Sequence, residues 1–108
     1  MASDRSYLDY ILEQLSGAGE ISHRPMIGEY ILYCGGKVIG GIYDDRFLVK
    51  PTKSARAMMP DAILEPPYDG AKDMILVDRV EDRDFLAELV RVLYDELPTP
   101  KKKAGKEG

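Results

Sequence analysis

Apolar residues recur at helical spacing near both ends of the 108-residue chain. Within residues 6–15 they follow steps of one, three and four residues, which places them on one face of a helix. A second helix is predicted after Asp82, a typical N-cap residue, and its stripe is longer. The residues of this stripe are Phe85, Leu86, Leu89, Val90, Leu93, Tyr94 and Leu97. Short amphipathic helices are stable mainly through packing, so both are expected to lie on a sheet.

Short segments rich in Tyr, Ile, Val and Phe predict β-strands between these helices. The segments are 22–26, 29–34, 37–42, 46–50 and 74–77. Gly35-Gly36 and Asp44-Asp45 separate consecutive segments by two residues each, which is hairpin composition. Strands joined by such short links pair antiparallel, so the first four segments predict a meander.

A third, short helix is predicted over residues 52–59, with Thr52 or Ser54 as its cap. Proline residues then mark a loop before the fifth strand. The predicted fold class is therefore α+β, with elements roughly in the order α-β-β-β-β-α-β-α.

Two Gly-Gly pairs, one of them followed by Lys37, raise the question of a phosphate-binding loop. Such a loop needs Gly-x-x-x-x-Gly-Lys, then Ser or Thr, at the start of a helix. Here Val38 follows the lysine and a strand begins, and strand amides bond to neighbouring strands instead of converging on a phosphate. Gly40 and Gly41 lie inside a strand, where a bulge or a close backbone approach usually accounts for glycine. We interpret both pairs as parts of the sheet.

The net charge of −4 is unevenly distributed along the chain. Residues 98–108 hold four lysines and one glutamate, a net charge of +3, so residues 1–97 carry −7. We predict one domain over residues 1–97 and a basic, disordered tail over 98–108. An acidic body is not the usual design of a DNA-binding surface.

The sequence also predicts a location in the cytoplasm. No stretch approaches the roughly 20 apolar residues that span a bilayer, and the N-terminal residues lack the build of a signal peptide. The single cysteine cannot form an internal disulfide, which fits a reducing compartment. We expect no contact with a membrane.

Candidate reaction centres are few. His23 is the only histidine, and without a second histidine or a Cys-x-x-Cys motif it forms no recognisable zinc site. Cys34 would approach His23 if the first two strands paired around residues 25–28, as a candidate reactive thiol; the alternative is an inert, half-buried cysteine. Two pairs of adjacent carboxylates have a structural explanation: Asp44-Asp45 suits a turn, and Glu81-Asp82 suits the start of a helix. We predict no catalytic residue, no metal and no cofactor.

A group of cations is the remaining candidate site. Lys50, Lys53 and Arg56 are close in sequence, and Arg24 and Arg46 are expected near them. Lys53 and Arg56 share one face of the short helix because they stand three residues apart. The group is either a solvated face or a contact for an anion, a nucleic acid or a protein partner. No aromatic residues alternate with these cations, as single-strand binding would require.

Residues 24–50 resemble the N-terminal domain of the TfoX/Sxy family, which is named for regulators of competence genes. The motif residues are Arg24, Met26, Gly28, Gly36 and Lys37, followed by a strand that ends in Lys50. The resemblance extends over about residues 4–97, with Ile27 where an aromatic residue or methionine is commoner. It implies a two-layer α/β sandwich, a mainly antiparallel sheet with helices packed on it, and no catalytic residues.

The longer regulators of this family carry a second, C-terminal domain, where this chain has its lysine-rich end. The competence function is therefore not carried over whole. We expect Met26, Gly28, Gly36 and Lys37 to be structural, and Arg24 either to form an ion pair or to contact a partner.

Our leading hypothesis is a non-catalytic regulatory or protein-interaction module. It would bind a protein partner, or itself as a homodimer, through strand edges and apolar residues such as Met58 and Met59. One alternative is nucleic-acid binding by the cations and the tail. Another is a small-molecule or thiol-dependent role for Cys34 and His23.

Overall fold

The computed structural model describes residues 5–26 and 28–98. Its elements are α1 (Arg5–Gln14), β1 (Ile21–Met26), β2 (Glu29–Cys34), β3 (Lys37–Tyr43), β4 (Arg46–Val49), α2 (Lys53–Met58), β5 (Leu64–Glu65), β6 (Met74–Leu76) and α3 (Arg83–Glu96). The α+β class and the predicted order are confirmed, and β5 is a short addition within the predicted proline-rich loop. The predicted tail, apart from Pro98, lies outside the described residues.

The six strands form one antiparallel sheet in the order β1-β2-β3-β4-β6-β5. The predicted two-residue turns are present, and all four of their residues have positive φ: 56° and 86° at Gly35 and Gly36, and 53° and 57° at Asp44 and Asp45. Glycine adopts this backbone freely, and aspartate is among the few other residues that tolerate it. The meander is therefore confirmed, and these turns fix its register.

One face of the sheet carries the core. The register aligns Leu32 with Gly40, Gly40 with Val49, and Val49 with Ile75, and these positions face the same side. All three helices pack their buried residues against this side. The helical contributors are Leu8, Ile11, Ala55, Leu86, Leu89, Val90 and Leu93.

The opposite face is covered differently. Arg24, Ile31, Gly41, Leu48 and Leu76 are successive register partners on this side. Residues of the loop 66–73 lie here, and the Tyr68 ring centroid is 6.4 Å from that of Tyr43. The described helices bury their apolar residues against the first face. Among the described residues, the second face is covered by the side chains of the sheet and by the loop 66–73.

Asp82 caps α3 as predicted. Its carboxylate accepts a hydrogen bond from the Phe85 N–H at 3.0 Å and one from Arg79 at 2.8 Å. The bond from Phe85, followed by that from Arg79, lowers the pKa of Asp82. A carboxyl group whose pKa is lowered by folding stabilises the fold at pH values above its pKa in the unfolded chain, about 3.9 for aspartate. This contribution is lost as the pH falls through the lowered pKa.

Asp82→Asn is therefore expected to make the free energy of unfolding depend less on pH in the acidic range. Asparagine keeps a capping oxygen but does not titrate there. Urea unfolding of both proteins at several values between about pH 6 and pH 2.5 measures the effect. The difference in unfolding free energy should be largest above about pH 4 and shrink at lower pH. A difference that is constant across this range would contradict the role given to this carboxylate.

Candidate functional site

A concave surface lies on the face of the sheet opposite the helices and continues to the C-terminal end of α3. Its apolar part, here called the sheet groove, has a cavity volume of about 460 Å³. β2 and β3 form its floor, and the loop 66–73 forms one wall. The apolar lining consists of Met26, Ile31, Val38, Tyr43, Pro51, Pro67, Tyr68, Ala71 and Met74. Tyr68 is 58% exposed, so the wall offers an aromatic ring to solvent.

A second cavity, here called the cationic pocket, adjoins the sheet groove and has a volume of about 520 Å³. Its lining contains three cations and no carboxylate: Arg24, Tyr33, Gly36, Lys37, Val38, Lys50, Leu97 and Pro98. Val38 and Lys50 line both cavities, so groove and pocket form one continuous surface. The pocket is thus a positive region in a chain with a net charge of −4.

Strand register brings these side chains together. Arg24 on β1 lies opposite Ile31, which puts it on the same face as the groove. A register shift between Leu32 and Tyr33 sets Tyr33 opposite Val38. Lys50 directly follows β4, where its N–H donates to the Ile39 carbonyl at 2.9 Å.

The three cations differ in how they are held. Lys37 Nζ donates to the Tyr94 carbonyl near the end of α3 at 2.7 Å, and it lies 4.1 Å from the centroid of the Tyr94 ring. The Arg24 and Lys50 side chains form no ion pair or hydrogen bond within residues 5–26 and 28–98. Arg24 and Lys50 are therefore open to a ligand, and the Lys37 ammonium keeps two donors beyond its bond to Tyr94.

The sequence profile of the TfoX N-terminal domain matches residues 13–96. The chain belongs to the TfoX N-terminal domain family. An uncharacterised 12.7 kDa protein in the trpE 5′ region of Spirochaeta aurantia is 36% identical over 107 residues, which are 98% of this chain and 93% of that relative. The predicted family resemblance is confirmed over most of the domain.

The motif residues of this TfoX N-terminal domain line the concave surface or lie in its turns. Gly28, with a φ of 81°, and Gly36 lie in hairpin turns that need positive φ. Met26 lines the sheet groove, while Arg24 and Lys37 line the cationic pocket. Sequence reasoning gave Lys37 a structural role only. Its hydrogen bond to Tyr94 fits that role, and Lys37 also lines the pocket.

The cations predicted to lie together are divided by the fold. Arg24 and Lys50 share the pocket, whereas Lys53 and Arg56 on α2 are exposed and line neither cavity. Arg46 forms an ion pair with Glu65 at 2.5 Å. Of the four residues predicted to contact an anion or a partner, Arg24 and Lys50 therefore line the same pocket. That they bind a ligand stays a prediction.

The fold of the TfoX N-terminal domain does not pair Cys34 with His23, as the thiol alternative requires. Cys34 lies opposite Ile21, and His23 lies opposite Leu32, so the two are not cross-strand partners. Cys34 is buried, and this burial raises the pKa of its thiol. A raised pKa reduces the thiolate fraction that a nucleophile needs. The His23 ring instead contacts Tyr30 edge-on, with centroids 6.1 Å apart.

The described part of the chain contains no group of three or more His, Cys, Asp or Glu residues able to hold a metal ion. None of its helices combines the length and the apolar character needed to cross a membrane.

Proposed function

We propose that this TfoX N-terminal domain is a non-catalytic interaction module that binds an extended segment of a partner protein. The observation that carries the proposal is the continuous concave surface formed by the sheet groove and the cationic pocket. The positive pocket in an acidic domain favours a segment of opposite charge, whose apolar side chains would fill the groove. The family relationship supports a setting in gene regulation.

The chemistry of the groove suits the binding of a polypeptide. Met26 and Met74 are unbranched and adapt to different side chains, and Tyr68 offers a broad amphipathic ring. Ile31 and Val38 give an apolar floor that a partner would shield from water. The lack of a thiol–imidazole pair between Cys34 and His23 supports the non-catalytic part of the proposal.

Selection of random displayed peptides against the folded domain tests this function. We expect the selected peptides to share apolar residues and to shift the amide NMR signals of β2 and β3. Ile31→Glu in the groove floor should weaken their binding at least tenfold. Ile63→Glu is the matched control, because residue 63 is 60% exposed beside the opposite edge of the sheet.

Other results would contradict the proposal. Failure to select any binding peptide would count against it, as would peptides whose amide shifts map to β5 and α2. The amide shifts are measured on the wild-type domain, so they decide the matter even if Ile31→Glu does not fold. A dimer seen by light scattering and abolished by Ile31→Glu would show that a second copy of this chain occupies the groove instead.

A further inference from the structure

We infer that Arg24, Lys37 and Lys50 form a site for the carboxylates of an acidic peptide segment. The inference rests on the proposed function, because the same segment would continue into the sheet groove. All three cations line one cavity whose lining includes no carboxylate. A site of this composition attracts anions and rejects cations.

The donors available in the pocket fit oxygen anions. The Lys37 ammonium has three donors, one of which bonds to the Tyr94 carbonyl, so two remain for a ligand. That bond also holds the side chain near the pocket before a ligand arrives, which lowers the entropy lost on binding. The Arg24 guanidinium forms no ion pair among the described residues and offers the fork geometry that a carboxylate binds in two places.

The surroundings favour an acidic peptide over a nucleic acid. Tyr33 is the one aromatic side chain in the lining of the pocket, whereas single-stranded nucleic acids stack several successive bases. Beyond Val38 and Lys50 the surface turns apolar, and the charges of Lys72 and Asp73 on the lining of the groove offset each other. A continuous phosphate backbone would gain no net attraction there and, beyond it, would meet a domain of negative net charge. A segment with acidic side chains at one end and apolar side chains at the other matches both parts of the surface.

The test uses the full chain and a fluorescent peptide whose glutamates precede its leucines, with a peptide of glutamine and leucine in the same order as its neutral counterpart. We expect the acidic peptide to bind more tightly, with an affinity that falls as salt is added. Arg24→Glu and Lys50→Glu should each weaken it about tenfold, which corresponds to ~1.4 kcal/mol. Lys53→Glu makes the same charge change on α2 and should weaken it less than about twofold.

Each alternative outcome has a separate meaning. Equal losses for Lys53→Glu and Lys50→Glu would overturn the site, because the attraction would then be a general charge effect. Equal binding of the two peptides, with loss only in Ile31→Glu, would overturn the carboxylate site and leave the proposed function intact. Binding of a short oligothymidylate that depends on Arg24 and Lys50, without binding of the acidic peptide, would replace this inference by nucleic-acid recognition.

Discussion

Gly40→Ala is expected to destabilise the domain by at least about 3 kcal/mol. A Cβ atom at residue 40 would lie 2.1 Å from the carbonyl oxygen of Leu48 and 2.8 Å from the Cα of Val49. Both atoms belong to the backbone of β4, which pairs with β3 at this point. A flexible side chain could rotate away from the new methyl group, but a paired backbone has to separate, which breaks ladder hydrogen bonds.

Urea unfolding followed by circular dichroism measures this effect, with Gly17→Ala as the matched control. Nothing lies within 4 Å of a Cβ placed at residue 17, so the control should change the free energy of unfolding by less than about 1 kcal/mol. If Gly40→Ala unfolded at the same urea concentration as Gly17→Ala, the close approach of β3 and β4 at this position would be wrong.

The pair Gly40-Gly41 also shows which features of the fold could be predicted from the sequence. Glycines inside an apolar strand predicted a bulge or a close backbone approach, and the structure has both. The register shifts opposite Leu32 and Tyr33, and a Cβ at Gly41 would meet the Tyr30 carbonyl at 2.6 Å. The sequence pattern alone could not distinguish a bulge from a close backbone approach, because strand pairing determines which backbone atoms face the glycines.

The candidate site was predictable only in part, for a similar reason. Lys50, Lys53 and Arg56 were grouped because they are neighbours in sequence, yet α2 begins at Lys53 and turns two of them away from the sheet. Arg24 and Lys37 reach Lys50 from β1 and β3 across the register of the sheet. That register also places Tyr33 beside these cations, although no aromatic residue alternates with them in sequence.

The short strand β5 carried no signal that sequence reasoning could use. It has two residues, so neither alternation nor helical spacing can be recognised. Its position is set by tertiary contacts, through the backbone bonds of residues 63–65 to β6 and through Arg46. The proline-rich composition around it correctly predicted a loop and missed the edge that this loop adds.

Arg46→Ala is expected to cost about 2 kcal/mol and to loosen one wall of the sheet groove. The guanidinium donates to Glu65 at 2.5 Å and to the carbonyls of Tyr43, Pro66 and Pro67 at 3.1, 3.5 and 3.4 Å. The Arg46 and Glu65 side chains are 27% and 34% exposed, so solvent screens their attraction only partly. Without Arg46, the Glu65 carboxylate would be left partly buried without its counter-charge.

Arg91→Ala is the matched control for this change, because Arg91 pairs with Glu88 and Asp95 on the exposed side of α3 and should leave the urea midpoint almost unchanged. Hydrogen exchange then separates the local effect from the global one. If Arg46 anchors the groove wall, amides of residues 66–73 should exchange faster in Arg46→Ala by more than the loss of global stability explains. Unchanged protection of this loop, or a midpoint equal to that of Arg91→Ala, would mean that the wall is held by the packing of Pro67 and Tyr68 alone. The groove would then be a property of the sheet and the loop, and binding of peptides would survive the loss of Arg46.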